Sequence, residues 1–432
     1  MASIQQRGPN SYLIRVSLGR DINGKKICET TTFKPDPDLT PKKKEKAVAD
    51  FAHDFEQKVL NGIAMDGRKI TLKEFTERWL KEYAAQELEG RTIDGYNLEL
   101  QDRILPFLGH MKLSDIRPTT VNTFIASMQK DGVRKDGKPG GYSKATVKHA
   151  FNVLSSILRT AVEWELLEKN PCDNVRVRVH DDEAADKVKF FTPEQAAAFL
   201  DYIEKPYIIK TTGHSRVDDT GKSYHVADYE SIKILPLQFR VLFSLALFAG
   251  LRKGELLALQ WADIDFTADS LSIKKAASMV GGKQIVKAPK TKSGIREINI
   301  PHFLTLRLKE LKADQTRYRL SIGDRWQGED WVFTQADGRM MNYSTPYSTF
   351  QDTLKRYNEG KPKEDQLPLI PFHGLRHTSA TVLIANHADI KTVQNRLGHA
   401  EASTTMNIYA HALQETDKKA AALLENALVK QA

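Results

Sequence analysis

Residues 373–378 read H-G-L-R-H-T, residues 397–399 read L-G-H and residues 407–411 read N-I-Y-A-H; the rest of the chain is read outward from this stretch. His373 and Arg376 are three apart, so in a helix they share one face. Leu375, Ser379, Val382 and Leu383 supply the buried side of that helix. Asp389 is placed to cap a second helix, with Ile390, Val393 and Leu397 inward and Gly398 as its stop. His399 then falls just past a helix end, where a side chain can be aimed at a site. Tyr409 falls in a third short helix opened by Ser403 or Thr404.

Guanidinium, imidazole and phenol groups without a carboxylate cluster do not suit a metal. They suit a phosphodiester. Arginine clamps non-bridging phosphate oxygens in a fork, histidine moves protons near neutral pH, and a tyrosine becomes a nucleophile once its phenol loses its proton. Two earlier segments extend the set. A-G-L-R-K-G-E at 249–255 supplies Arg252, and A-P-K-T-K-S-G at 288–294 supplies Lys290.

This order resembles the tyrosine recombinases, the integrases of phages and conjugative transposons. Their signature is an arginine, a lysine on a β-hairpin, H-x-x-R, G-H and a tyrosine. Here Arg252, Lys290, His373, Arg376, His399 and Tyr409 fill the six positions in register. Each motif alone is weak, and the ordered set is specific. The resemblance covers the C-terminal half well and the preceding domain more loosely.

The chain has 432 residues, which suggests about three domains. Lys+Arg 64 against Asp+Glu 55 gives a net charge of +9, a mild basic excess that fits a nucleic-acid partner without requiring one. Cys28 and Cys172 lie far apart, which argues against a disulfide framework and suits a reducing cytoplasm. The N-terminus lacks a charged-then-apolar signal segment, and the apolar run 242–251 is too short to span a bilayer.

Residues 1–62 read as a sheet and a helix. Residues 11–18 alternate, Asn23-Gly24 marks a hairpin turn, 26–33 form the return strand and 3–7 add a third. A helix from Pro41 puts Val48, Phe51, Phe55 and Val59 inward. Residues 68–175 read as four helices: one through Leu72, Phe75, Trp79 and Tyr83, then 92–107, 118–128 and 143–164, with a Gly- and Lys-rich loop at 129–142. Residues 176–190 alternate charges and read as a linker. Thr192-Pro-Glu-Gln195 is a capping box that opens the domain 191–432.

Within that domain, residues 205–234 form a polar surface insertion. Its His214 and His225 lack metal-ligand spacing. Residues 237–248 form a buried helix that Gly250 ends. Arg252 reads either as an ion pair with Glu255 or as a phosphate ligand held by that glutamate. Residues 261–266, 270–275, 284–288 and 295–300 read as strands of one small antiparallel sheet, with Lys290 in the turn between the last two. Lys287 and Lys292 compete with Lys290. Tyr343, Tyr347 and Tyr357 lack the upstream Gly-His spacing and read as packing or surface residues; His377 and His411 read as structural. Residues 413–428 form an apolar helix that packs on its own domain or on a neighbour.

The resemblance implies a mainly α fold with small antiparallel β-sheets: an N-terminal arm-type DNA-binding domain, a helical core-binding (SAM-like) domain and a mixed α/β catalytic domain. It makes Arg7, Arg15, Arg20, Lys25 and Lys26 candidate contacts to arm DNA, and it makes Lys144 and Lys148 contacts to core DNA. It implies double-stranded DNA as partner, a homo-tetramer on two duplexes, an accessory DNA-bending or excision factor, a bacterial cytoplasmic, nucleoid-associated location, and no metal or other cofactor. Two other functions compete: a type IB topoisomerase and a non-catalytic DNA-binding regulator on the same fold.

Overall fold

The computed structural model describes residues 2–20, 26–37, 39–60, 69–179, 190–217, 219–289 and 294–398. Contacts gather the chain into two compact units, Met1–Ala185 and Asp186–Ala432. No helix among the described residues is long and apolar enough to cross a membrane.

In the first unit, β1 (Ser3–Gly8), β2 (Ser11–Arg20) and β3 (Lys26–Phe33) form an antiparallel sheet in the order β1-β2-β3. Strand alternation sends Ile14 and Val16 to one face, where both are buried. Helix α1 (Pro41–Leu60) packs against β2 and β3 and contributes buried Val48, Ala52 and Val59. Phe33 of β3 stacks on Phe51 of α1 at 4.3 Å. Arg7 and Arg15 are exposed. Arg20 and Lys26 lie in strands, but their side chains, like the whole of Lys25, fall outside the described residues.

The helical part of this unit opens with α2 (Leu72–Trp79). Thr71 caps it: its hydroxyl accepts from the Glu74 N–H, and the Glu74 carboxylate accepts from the Thr71 N–H at 2.9 Å. The chain continues through a π turn at Leu80–Ala84 into α3 (Ala85–Glu87), then α4 (Gly90–Glu99), a second π turn at Leu100–Ile104, and α5 (Leu105–Leu108). The sequence reading expected plain helices here. Leu100, Ile104 and Leu108 are all buried along this stretch. Helices α6 (Pro118–Ser127) and α7 (Lys144–Glu163) complete the bundle around Phe75, Trp79, Phe124 and Leu154. Lys144 and Lys148 are exposed near the Ser143-capped start of α7.

The second unit begins with α8 (Pro193–Ile203), opened by the expected Thr192–Gln195 capping box. The insertion is one hairpin built from two ladders in the same register. In one, β4 (Tyr207–Thr211) pairs with β7 (Tyr229–Lys233); between them β5 (His214–Val217) pairs with β6 (Ser223–Val226). Next come α9 (Leu237–Phe248), α10 (Lys253–Leu257), β8 (Ile264–Asp265), β9 (Ser270–Ile273), β10 (Ala276–Val280), β11 (Lys283–Lys287) and β12 (Arg296–Asn299). Helices α11 (His302–Ile322), α12 (Thr345–Asn358), α13 (Gly374–Ala385) and α14 (Ile390–Leu397) follow. Phe199, Phe243, Phe350 and Phe372 meet in the core, Phe199 and Phe350 edge to face at 5.4 Å. Each such aromatic pair adds about 0.5–1.5 kcal/mol beyond its buried area.

Two strand expectations fail. Residues 261–266 are mostly a 3-10 turn, Trp261–Asp263, and only Ile264–Asp265 pairs. Asp263 accepts from the Gln260 N–H, and Asp265 accepts from those of Thr267 and Ala268; these local bonds compete with a ladder. The single sheet is also two: β12-β9-β8 in one, β10-β11 in the other. Gly281 and Gly282, with φ of 55° and 74°, turn β11 straight back on β10, as a two-residue hairpin with both φ positive requires.

Candidate active site around Arg252, His373 and Arg376

Helix α9 ends in the core, and Gly250 reverses the chain with φ of 63°. Arg252 is therefore the N-cap of α10, and Glu255 lies three residues on. The Glu255 carboxylate accepts from the Arg252 N–H at 3.0 Å and from Arg252 Nη1 at 2.9 Å. Arg252 Nη2 donates to the Gly398 carbonyl at 2.8 Å. The Arg252 side chain stays 39% exposed while that of Glu255 is 4% exposed.

Arg376, on α13, is 2% exposed. Its Nη1 donates to the Gly250 carbonyl at 2.7 Å and its Nη2 to the Leu397 carbonyl at 2.5 Å. The two arginines thus fasten the turn after α9 to the end of α14. Asp389 caps α14 by accepting from the Thr392 N–H, and Gly398 ends it in the left-handed conformation, both as the sequence indicates. His373 is the N-cap of α13, with its ring edge-to-face on His377 at 4.7 Å.

Arg252, Glu255 and His373 line a cleft of about 430 Å³, floored by Ala276 and Ala277. Tyr343 and Tyr347 form part of its wall, with the Lys253 ammonium 3.9 Å from the Tyr343 ring centre. Tyr357 instead packs against Tyr202. Of the six ordered positions, the structure brings Arg252, His373 and Arg376 together. Lys290, His399 and Tyr409 lie outside the described residues.

Electrostatics follow from this crowding. Burial, then the charges of His377, Arg376 and Arg252, push the His373 imidazole down to about 4. The residue lines the cleft, and with this lowered pKa its ring is neutral at pH 7. Burial, then the like charge of Arg252, lowers Arg376 to about 9, still protonated at neutral pH. For Glu255, burial works to raise the pKa, but hydrogen bonds and charge from Arg296 and Arg252 outweigh it and hold the carboxyl below its ordinary value. Among the described residues no cluster of His, Cys, Asp or Glu could hold a metal ion.

Sequence reasoning missed Arg296. It is 7% exposed and donates both terminal nitrogens to Glu255, at 3.1 and 2.9 Å, while its Nε donates to the Arg396 carbonyl at 2.8 Å. The signal was present: in Arg296-Glu-Ile-Asn-Ile300 the arginine has the parity of buried Ile298 and Ile300, and a cation on an inward face needs a partner. Arg396 was missed as well; its Nη2 donates to the carbonyls of Phe248 and Asn299.

Gly250→Ala is expected to loosen this site. A Cβ there would lie 2.4 Å from Leu397 Cδ2, on a backbone that L side chains rarely adopt. The expected loss is about 2–3 kcal/mol, or about 5–10 °C in the thermal transition of this unit. An unchanged transition would show that the turn is not constrained.

Residues 209–416 match the phage integrase family, and residues 71–129 match the N-terminal SAM-like domain of phage integrases. The chain is 26% identical over 439 residues to the XerC-like tyrosine recombinase of Caldanaerobacter subterraneus subsp. tengcongensis, covering 98% of each chain. It is 29% identical over 295 residues to the ICEBs1 integrase of Bacillus subtilis, covering 68% of this chain and 69% of that one. Its fold is similar to that of the Tn1549 transposon integrase solved with transposon right end DNA, with a TM-score of 0.62 and 21% identity over 83% of this chain and 99% of that one. With family matches in both units and a relative aligned nearly end to end, the chain belongs to the phage integrase family of tyrosine recombinases.

Proposed function

We propose that this protein is a site-specific integrase that cleaves and rejoins double-stranded DNA through a 3′-phosphotyrosine, inserting and excising a mobile element or prophage. The observation that carries this reading is the convergence of three residues from distant segments: Arg252 and His373 line one cleft, and Arg376 is buried close beside them. Tyr409 attacks the phosphodiester. Arg252 and Arg376 stabilise the charge gathering on the non-bridging oxygens, and His399 donates a further hydrogen bond. His373 accepts the phenol proton, and Lys290 protonates the departing 5′-oxygen. The covalent bond keeps the energy of the cleaved linkage, so rejoining needs neither ATP nor metal. Attack by a partner strand's 5′-hydroxyl gives recombination, and attack by the original strand restores the duplex.

On this reading the protein works in the bacterial cytoplasm, at the nucleoid, as a tetramer holding two duplexes, with a DNA-bending or excision factor setting direction. Exposed Arg7 and Arg15 suit arm DNA, and exposed Lys144 and Lys148 suit core DNA.

Incubation with nicked suicide duplexes and sequencing of the DNA ends trapped on the protein test the proposal. A trapped 3′ end at a defined sequence is expected. Relaxation of a plasmid lacking any such site would favour a topoisomerase, and DNA binding without capture would favour a regulator.

The pH dependence is a second expectation. Because the His373 pKa is lowered, the ring is neutral, and able to accept a proton, at all pH values above about 4. The second-order cleavage rate, which reports the free enzyme, should therefore show no acid limb from this group between about pH 8 and 5.5. A limb near pH 6.5 that vanishes in His373→Gln would refute it.

A further inference from the structure

We infer that Arg296 is a positioning residue that leaves Arg252 with a positive charge to present to the scissile phosphate. The inference rests on the recombinase reading and deepens it. Each oxygen of Glu255 accepts twice. Oε1 takes Arg252 Nη1 at 2.9 Å and Arg296 Nη1 at 3.1 Å; Oε2 takes the Arg252 N–H at 3.0 Å and Arg296 Nη2 at 2.9 Å. Without Arg296, Arg252 and Glu255 would form a neutral pair, and a neutral pair offers a phosphodiester little attraction. With it, two cations share one anion and the cluster keeps one positive charge.

That charge faces the cleft, because the Arg252 side chain is 39% exposed and that of Arg296 only 7%. Arg296 is also a brace. Its Nε holds the Arg396 carbonyl, two residues before Gly398, whose own carbonyl holds Arg252 Nη2. One planar side chain thus sets both the charge of the pair and the distance between α10 and the end of α14. The charged groups bearing on Glu255 are Arg252 on α10, Arg296 on β12, and Arg376 on α13, with neutral His373 nearby.

The test compares the full-length protein with Arg296→Gln, which can still donate a hydrogen bond but carries no charge. Binding to a nicked suicide duplex should change little, while single-turnover cleavage falls about 10- to 100-fold, as for residues that hold a catalytic ligand in place. Two readouts separate this role from a merely structural one. The deficit should shrink as pH falls, because Glu255, no longer held down by Arg296, takes up a proton and stops neutralising Arg252. It should also shrink when the scissile linkage is a methylphosphonate, which lacks the charge that Arg252 answers.

If Arg296→Gln does not fold, Arg296→Gln/Glu255→Gln, which removes both buried charges, should fold and retain measurable cleavage. Unchanged cleavage in the single variant, a deficit equal at every pH and on both linkages, or a folded double variant with no cleavage overturns the inference. Failure of the unmodified protein to form any covalent complex overturns the recombinase reading itself, and this inference with it.

Discussion

Tyr409→Phe is expected to bind attachment-site DNA as the unmodified protein does and to form no covalent complex with it, a loss of more than about 10³-fold. The substitution removes one oxygen. The guanidinium groups of Arg252 and Arg376 and the neutral ring of His373 remain, so phosphate recognition survives and only the nucleophile is absent. The structure makes the experiment more pointed than the sequence did, because Tyr343 and Tyr347 line the same cleft as Arg252 and His373, and Tyr347 is 49% exposed. Tyr347→Phe is the necessary companion. Capture that persists in Tyr409→Phe and disappears in Tyr347→Phe would move the nucleophile to α12.

Arg376→Ala should damage both stability and catalysis. The side chain is nearly inaccessible, and it satisfies the buried carbonyls of Gly250 and Leu397. Leaving both without a donor, around a cavity, is expected to cost about 3–5 kcal/mol. Cleavage by the fraction that still folds should fall by at least about 10²- to 10³-fold. Lysine is not a conservative replacement. Burial and Arg252 already bring the guanidinium down to about 9, and a lysine starts about two units lower and lacks the planar fork that reaches both carbonyls, so it holds both its proton and its partners less well. Urea unfolding followed by tryptophan fluorescence reads the first effect, and single-turnover capture reads the second. A variant as stable as the unmodified protein would mean that the two carbonyls are not anchored through Arg376.

Much of the catalytic unit was legible in the sequence because its punctuation is local. Thr192 with Gln195, Asp389 and Gly398 mark helix ends within three residues of themselves. The order of Arg252, Lys290, His373, Arg376, His399 and Tyr409 needs no three-dimensional knowledge either. What stayed hidden depends on non-local pairing. β11 pairs with β10 rather than beside β12, although Gly281-Gly282 announced the turn. Glu255 was read as the partner of Arg252 alone, since a spacing of three is visible along a helix and a strand residue forty-one positions away is not. The π turns escaped because apolar residues four apart, such as Leu100, Ile104 and Leu108, fit an α-helix equally well and carry no mark of the wider turn.

Three of the guanidinium bonds of Arg252 and Arg376 end on oxygens that belong to no side chain: those of Gly250, Leu397 and Gly398. Every amino acid carries the same acceptor, so a saturation scan at these three positions would register volume and backbone twist but never the loss of a hydrogen-bond acceptor. Replacing the amide that follows Gly250 with an ester weakens that oxygen as an acceptor, at the cost of the Leu251 N–H, and leaves every side chain in place. Lineages can therefore exchange the residue at 397 for another of similar bulk while the anchoring atom stays constant, hidden from any comparison of side chains.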